Sequence, residues 1–180
     1  MRFFKFMLGC FILTTFYACN NQDGKGASQV AGIHSSVTKH FSDSLSLDTF
    51  TVRVIGFALD SQKFDFRIVN FKGIEIYHVD IPSASLLKNY DATIDLKKKK
   101  NQATFLQSEV DRFFDEENFM EPAITETESP DKNVPDLAFY EELKKSGLNG
   151  FFYRLGKEDK VYIGWSTKEN KVKPYYTCCK

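Results

Sequence analysis

The chain has no surplus charge of either sign: 24 Lys and Arg stand against 24 Asp and Glu in 180 residues. A nucleic-acid binder that works by bulk charge needs a basic surplus, so that class is excluded. The same balance argues against an acidic disordered chain. Cysteine is scarce, with four residues. Cys10 and Cys19 lie near the start, while Cys178 and Cys179 are adjacent, so no spaced pair can build a zinc site. The histidines His34, His40 and His78 include no i, i+4 pair of the kind that grips a metal from one helix. Gly-rich phosphate loops, nucleophile elbows and kinase signatures are missing. No metal and no other cofactor is implied, and any catalytic site would have to be assembled from scattered residues.

A long apolar run is missing as well. The best stretch, Phe6 to Phe16, is uncharged but shorter than the about 20 residues that span a bilayer. It follows the basic residues Arg2 and Lys5, which is the order of a secretory signal peptide. Ordinary cleavage wants small residues at the first and third positions before the cut; Ala18 is small and Phe16 is not. Phe16-Tyr17-Ala18-Cys19, followed by the polar run Asn20-Asn21-Gln22-Asp23, resembles a bacterial lipobox, with Phe16 in place of the usual Leu and Tyr17 in place of a small residue. The resemblance implies that residues 1–18 are a signal peptide and that Cys19 becomes the lipidated first residue. Acyl chains hold a protein on a membrane at about 0.8 kcal/mol per buried methylene. Removing residues 1–18 takes two basic residues and no acid, so 22 basic side chains face 24 acidic ones in the mature chain. Five of the 18 Phe leave with the signal, and the rest suffice for a substantial core.

Residues 19–44 are rich in Asn, Gln, Gly and Ser without apolar periodicity, and read as a tether between the lipid and a globular domain at 45–180. Phe50, Val52 and Val54 alternate with polar residues, as do Phe64, Phe66 and Ile68. Lys72-Gly73 is a turn before a third strand over 74–81. Ser83 is placed to cap a short helix carrying Leu86, Leu87 and Tyr90, and Thr93 to Leu96 reads as a brief strand. Leu106, Val110, Phe113 and Phe114 predict a helix over 102–118. The proline-bearing stretch 121–135 is a loop. A second helix over 136–146 has Asp136 at its start, Lys144 and Lys145 at its end, and Gly147 as its stop. Strands at 151–155 and 161–165 and a final apolar run at 175–179 close the chain. The expected architecture is a single α+β domain: one antiparallel sheet of about five to seven strands with two or three helices on one face.

Few side chains stand out as chemistry. Lys97, Lys98, Lys99 and Lys100 form a basic run, read either as a solvated loop or as a contact for anionic head groups or an acidic partner. Tyr153, Tyr162, Trp165, Tyr175 and Tyr176 gather in the terminal strands, where Tyr153 and Trp165 share the apolar parity and Tyr162 and Tyr176 are the better surface candidates for stacking on a sugar or a protein. Asp115, Glu116 and Glu117 lie between aromatics, but neighbouring acids on a helix diverge and read as a solvated face. Cys178 and Cys179 face opposite sides if 175–179 is a strand, which favours two reduced thiols; a vicinal disulfide or an intermolecular bridge is the alternative.

Together, the lipobox-like start, the polar tether and stretches such as Gly73-Ile74-Glu75-Ile76-Tyr77 and Phe113-Phe114-Asp115-Glu116-Glu117-Asn118-Phe119 resemble uncharacterised lipoproteins of Bacteroidetes-type bacteria. The resemblance implies no known activity and carries over no functional residue except Cys19. Asn20 after the cysteine, by the enterobacterial resemblance, favours the outer membrane over the inner one. The expected role is a lipid-anchored binding module of the cell envelope for a protein or glycan. The alternatives are a structural accessory of an envelope complex, or a hydrolase with an unrecognised site.

Overall fold

The computed structural model describes residues 32–56, 61–87, 90, 95–156 and 158–179. Two four-stranded antiparallel sheets carry the fold. The first is a meander of β1 (His34–His40), β2 (Leu47–Ile55), β3 (Lys63–Val69) and β4 (Glu75–Pro82), in that spatial order. Helices α1 (Ser83–Leu87) and α2 (Lys99–Asp111) and a 3₁₀ turn at Glu116–Asn118 follow. The second sheet is β5 (Phe119–Met120), β6 (Gly150–Arg154), β7 (Lys160–Ser166) and β8 (Lys171–Cys178), with α3 (Leu137–Ser146) inserted between β5 and β6. No helix among the described residues is long and apolar enough to cross a membrane.

The α+β class agrees with the sequence reading, but there are two sheets where one was expected. The reason lies in the strand faces. In the first sheet Phe50 pairs with Ile68, Val52 with Phe66 and Val54 with Phe64, so one face is wholly apolar and buried. In the second sheet Phe151, Tyr153 and Ile163 form the matching face. Stacked, the two faces bury each other; laid side by side, both would need helical cover. Phe50 meets the rings of Phe41, Phe114, Phe119 and Phe151 at 5.3–6.2 Å. Phe66 meets Tyr77, Phe113, Phe151 and Tyr153 at 5.1–5.7 Å. Truncating either Phe to Ala costs about 3–5 kcal/mol at such a site. The helices are likewise not on one face: α2 packs on β1 and β2, and α3 on β7 and β8.

Three boundaries differ from expectation. The folded domain begins before residue 45: His34–His40 is an edge strand paired to β2 through the whole register His34↔Arg53 to His40↔Leu47, so this part of the stretch 19–44, expected as tether, belongs to the first sheet. Backbone pairing, not an apolar pattern, puts that strand there. Ser83 is the first residue of α1 rather than its cap, and its buried hydroxyl has no hydrogen-bond partner. The helix expected over 102–118 runs instead from Lys99 to Asp111. It ends because Phe114 turns into the core, while the Asn118 side chain donates to the carbonyls of Arg112 and Phe113 at 3.1 and 3.0 Å. For the brief strand expected at Thr93–Leu96, residues 93 and 94 lie outside the described residues and Leu96 is in a turn. α3 matches its expected span: the Asp136 carboxylate accepts from the Phe139 backbone at 3.0 Å, and Gly147 closes the helix at φ 64°.

Buried Asp48 ties two hairpin ends together. Its carboxylate accepts from the backbone N–H of Ser42 at 2.6 Å and of Phe71 at 3.0 Å.

Candidate functional site

The outer face of the second sheet is divided by two glycines. A Cβ on Gly164 would lie 2.5 Å from Leu143 Cδ2, and one on Gly150 would lie 2.8 Å from the Tyr175 hydroxyl oxygen and 2.9 Å from Ala123 Cβ. Bare backbone at these positions lets α3 and the loop after β5 settle onto half of the face. The other half carries Phe152, Tyr162 and Tyr176, which are direct cross-strand partners on β6, β7 and β8. Their rings stand 4.9 and 5.5 Å apart. The register of β7 and β8 slips between Tyr162↔Tyr176 and Ile163↔Pro174, leaving Tyr175 as an extra residue. This bulge lets Tyr175 meet Tyr162 as well, at 6.0 Å.

The rings of Tyr162, Tyr175 and Tyr176 line a cleft of about 390 Å³. Met120, Ala123 and Ile124 form its apolar part, Tyr140 enters from α3, and Glu128, Ser129 and Asp131 come from the loop between β5 and α3. That loop is fixed at several points. Ala123 N–H donates to the Leu148 carbonyl at 2.8 Å and Thr177 N–H to the Asn133 carbonyl at 3.1 Å. Lys144 Nζ donates to the Glu128 carbonyl at 2.5 Å. The Tyr176 hydroxyl donates to Asp131 Oδ2 and the Tyr175 hydroxyl to the Ala123 carbonyl, each at 3.1 Å.

Burial, aided by the neighbouring Tyr162 hydroxyl and the Glu128 carboxylate, pushes the Tyr175 phenol well above its ordinary range. Burial and the Glu128 and Glu141 carboxylates raise Tyr140, and burial beside Tyr176 raises Tyr162. All three therefore keep their protons at neutral pH. The cleft offers ring faces, hydroxyl donors and carboxylate acceptors. That set suits a ligand with flat apolar faces and many hydroxyls.

Of the residues singled out by sequence, Tyr162 and Tyr176 come together here. Lys97, Lys98, Lys99 and Lys100 do not line the cleft; they lead into and begin α2, where Lys98 pairs with Asp95 at 3.3 Å. Tyr153 is buried and Trp165 partly so, both against the main core. Asp115 and the turn residues Glu116 and Glu117 lie beyond the end of α2, and Glu116 pairs with Lys39 at 2.6 Å. Cys178 and Cys179 form a disulfide between chain neighbours, in place of the two reduced thiols favoured by the strand pattern. Cys19 lies outside the described residues. Sequence reasoning placed Tyr175 among the terminal-strand aromatics without singling it out for the surface, and it missed Tyr140, Glu128 and Asp131. The only local sign was the acid-rich, proline-bearing loop itself.

Two other features lie on the first sheet. Asp65, His78 and Asp80 bring one ligand atom each within 4.8 Å of one another on the outer face of the first sheet. Asp65, 1 % exposed, already accepts from Arg53 Nε at 2.7 Å and Arg67 Nε at 2.8 Å. Burial opposes its ionisation, yet these two guanidiniums outweigh burial and hold the carboxyl below its usual range. A cation there would displace or face two arginines, so the cluster is a structural charge ladder. A hollow of about 550 Å³ runs along β1 and β2, but its polar lining is the exposed surface around His34, Thr51 and Arg53, and Arg53 is committed to Asp65.

Comparison of the chain with models of known protein families, with curated proteins and with solved structures finds no match. The functional reading therefore rests on the cleft.

Proposed function

We propose that the protein is an exported, lipid-anchored protein of the cell envelope whose folded domain binds a glycan in the tyrosine cleft. The location follows the sequence: signal-like residues 1–18, Cys19 as the lipidated residue, and Asn20 favouring the outer membrane. The observation that carries the ligand class is the convergence of Tyr140, Tyr162, Tyr175 and Tyr176 with Glu128 and Asp131 around one cleft. Sugar rings present C–H faces that stack on aromatic rings and hydroxyls that donate to carboxylates. Among the described residues that line the cleft, the charged side chains are the acids Glu128 and Asp131, which disfavours an anionic ligand.

The test has two arms. Radiolabelled palmitate should label the wild type and not Cys19→Ala; an unlabelled wild type refutes the anchor. Titration of neutral oligosaccharides into the protein, followed by calorimetry, should give saturable binding that Tyr162→Ala weakens at least tenfold. Binding of a Lys-rich peptide with no oligosaccharide binding would refute the glycan reading and assign the cleft to a cationic partner through ring–cation contacts.

A further inference from the structure

Phe152 has a second neighbourhood. One side of its ring meets Tyr162 at the edge of the tyrosine cleft. It also lines a groove of about 320 Å³ whose walls include Arg112, Asn118, Arg154 and Lys160. Arg154 and Lys160 form the next cross-strand pair beyond Phe152↔Tyr162 with the same parity, and Lys160 Nζ stands 4.6 Å from the centre of the Phe152 ring. A smaller cavity of about 40 Å³ shares Arg112, Asn118, Phe152 and Arg154 with this groove and reaches Glu109.

Glu109 is 5 % exposed. Its Oε2 accepts from Arg154, whose other nitrogen donates to the Tyr90 hydroxyl at 2.9 Å. Its Oε1 is buried and has no hydrogen-bond partner. The nearby Arg112 Nη2, 3.6 Å away, donates to Ser108 Oγ at 2.8 Å instead. A buried carboxylate oxygen without a donor is costly, so a donor is called for. The cavity has room for about one water-sized group. Two guanidiniums already outweigh the single carboxylate, so an ammonium is repelled and the donor is neutral. A sugar hydroxyl fits: it donates to Oε1 and offers its lone pairs to the flanking arginines.

The charges around the groove also balance. Asp115, Glu117 and Glu158 face Arg112, Arg154 and Lys160. With Glu128 and Asp131 at the other end, an acidic sugar gains nothing across the whole surface. Phe152, Tyr162 and Tyr176 stand on three neighbouring strands, and Phe152, 9 % exposed, joins the two ends by lying between the Tyr162 ring and Lys160 Nζ.

We infer that the tyrosine cleft and the Glu109 cavity are the two ends of one extended site, which takes a neutral oligosaccharide of at least three rings with a hydroxyl donating to Glu109 Oε1. This rests on the glycan reading proposed above. The experiment uses the full chain in mild detergent and two probe series of one to five rings: β-1,4-linked glucose and β-1,4-linked N-acetylglucosamine. Both linkages are equatorial and leave flat ring faces. Affinity should climb at least tenfold from one ring to three in one series and then level off. Phe152→Leu, which keeps an apolar side chain but removes the ring that seats Tyr162 and Lys160 between the two ends, should abolish that climb. Glu109→Gln should weaken the three-ring ligand at least fivefold. Where Glu109→Gln does not fold, Phe152→Leu decides. Equal affinity at every length, or a climb untouched by both variants, overturns the extended site and leaves the tyrosine cleft standing. Failure of both series to bind at any length overturns both readings.

Discussion

Replacing Tyr77 by Phe removes one hydroxyl from the polar contact between the two sheets. Tyr77 on β4 and Tyr153 on β6 share a hydrogen bond of 2.7 Å between their hydroxyls, and both rings rest on Phe66 at 5.7 Å. Tyr153 is 6 % exposed, whereas Tyr77 is partly exposed. Tyr77→Phe thus strands the more buried hydroxyl, at a cost of about 1–3 kcal/mol. Tyr153→Phe strands the hydroxyl that water reaches more easily, so its cost falls nearer the low end, about 1 kcal/mol. The double variant strands neither and should be close to the wild type, so it is less destabilised than the sum of the singles by roughly 2–4 kcal/mol. Urea unfolding of the four proteins measures this, because m-values of about 1–3 kcal/mol/M turn such a difference into a midpoint shift of roughly half a molar or more. Additive single effects would refute the reasoning, since they would mean that neither hydroxyl depends on the other.

Burial, reinforced by Tyr153, holds the Tyr77 phenol far above its ordinary 10.0, and burial holds Tyr175 up as well. The unfolded chain gives up these protons near pH 10 while the folded chain keeps them, so stability should be flat below about pH 9 and fall above about pH 10, read by urea unfolding across pH 8–11. Asp48→Ala leaves the N–H groups of Ser42 and Phe71 without their carboxylate and should cost about 2–4 kcal/mol in denaturant unfolding. Gly164→Ala pushes a methyl against Leu143 and should cost about 1–3 kcal/mol, whereas the same methyl in a Leu143→Ala background partly fills the cavity and should be neutral or stabilising in thermal melts.

Local signals made part of this fold legible. Alternation in Phe50–Val54, Phe64–Ile68 and Val161–Trp165 marks strands because each buries one face. The ends of α3 are written in Asp136 and Gly147, a cap and a left-handed stop that act within four residues. β1 carries no such mark: in HSSVTKH Val37 is the one apolar residue, too little to show a period, and the backbone groups of β2 hold the strand. The stacking of two sheets is equally invisible, because the pairing of Phe50 with Phe151 joins residues a hundred positions apart. In the candidate site Tyr162 and Tyr176 follow from strand parity. Tyr175 does not, because parity sends neighbours to opposite faces and only a bulge returns it. Tyr140, Glu128 and Asp131 reach the cleft through tertiary placement alone. Lys97–Lys100 is conspicuous as text, but a run of like charges says nothing about where the chain carries it.

The division into two meanders also sets an order of events. Each sheet, 34–82 and 119–178, is built from one continuous stretch whose pairings are mostly between chain neighbours, and such local pairings form quickly. Joining them is the long-range step. In a chain that emerges N-terminus first, β1–β4 can pair completely while Phe50, Phe66 and Ile68 still face solvent, waiting for Phe105, Phe114 and Phe151. The intermediate is a finished sheet with one bare aromatic side, the kind of surface that sticks to its own copies. That side stays bare until Phe105, Phe114 and Phe151 arrive to cover it.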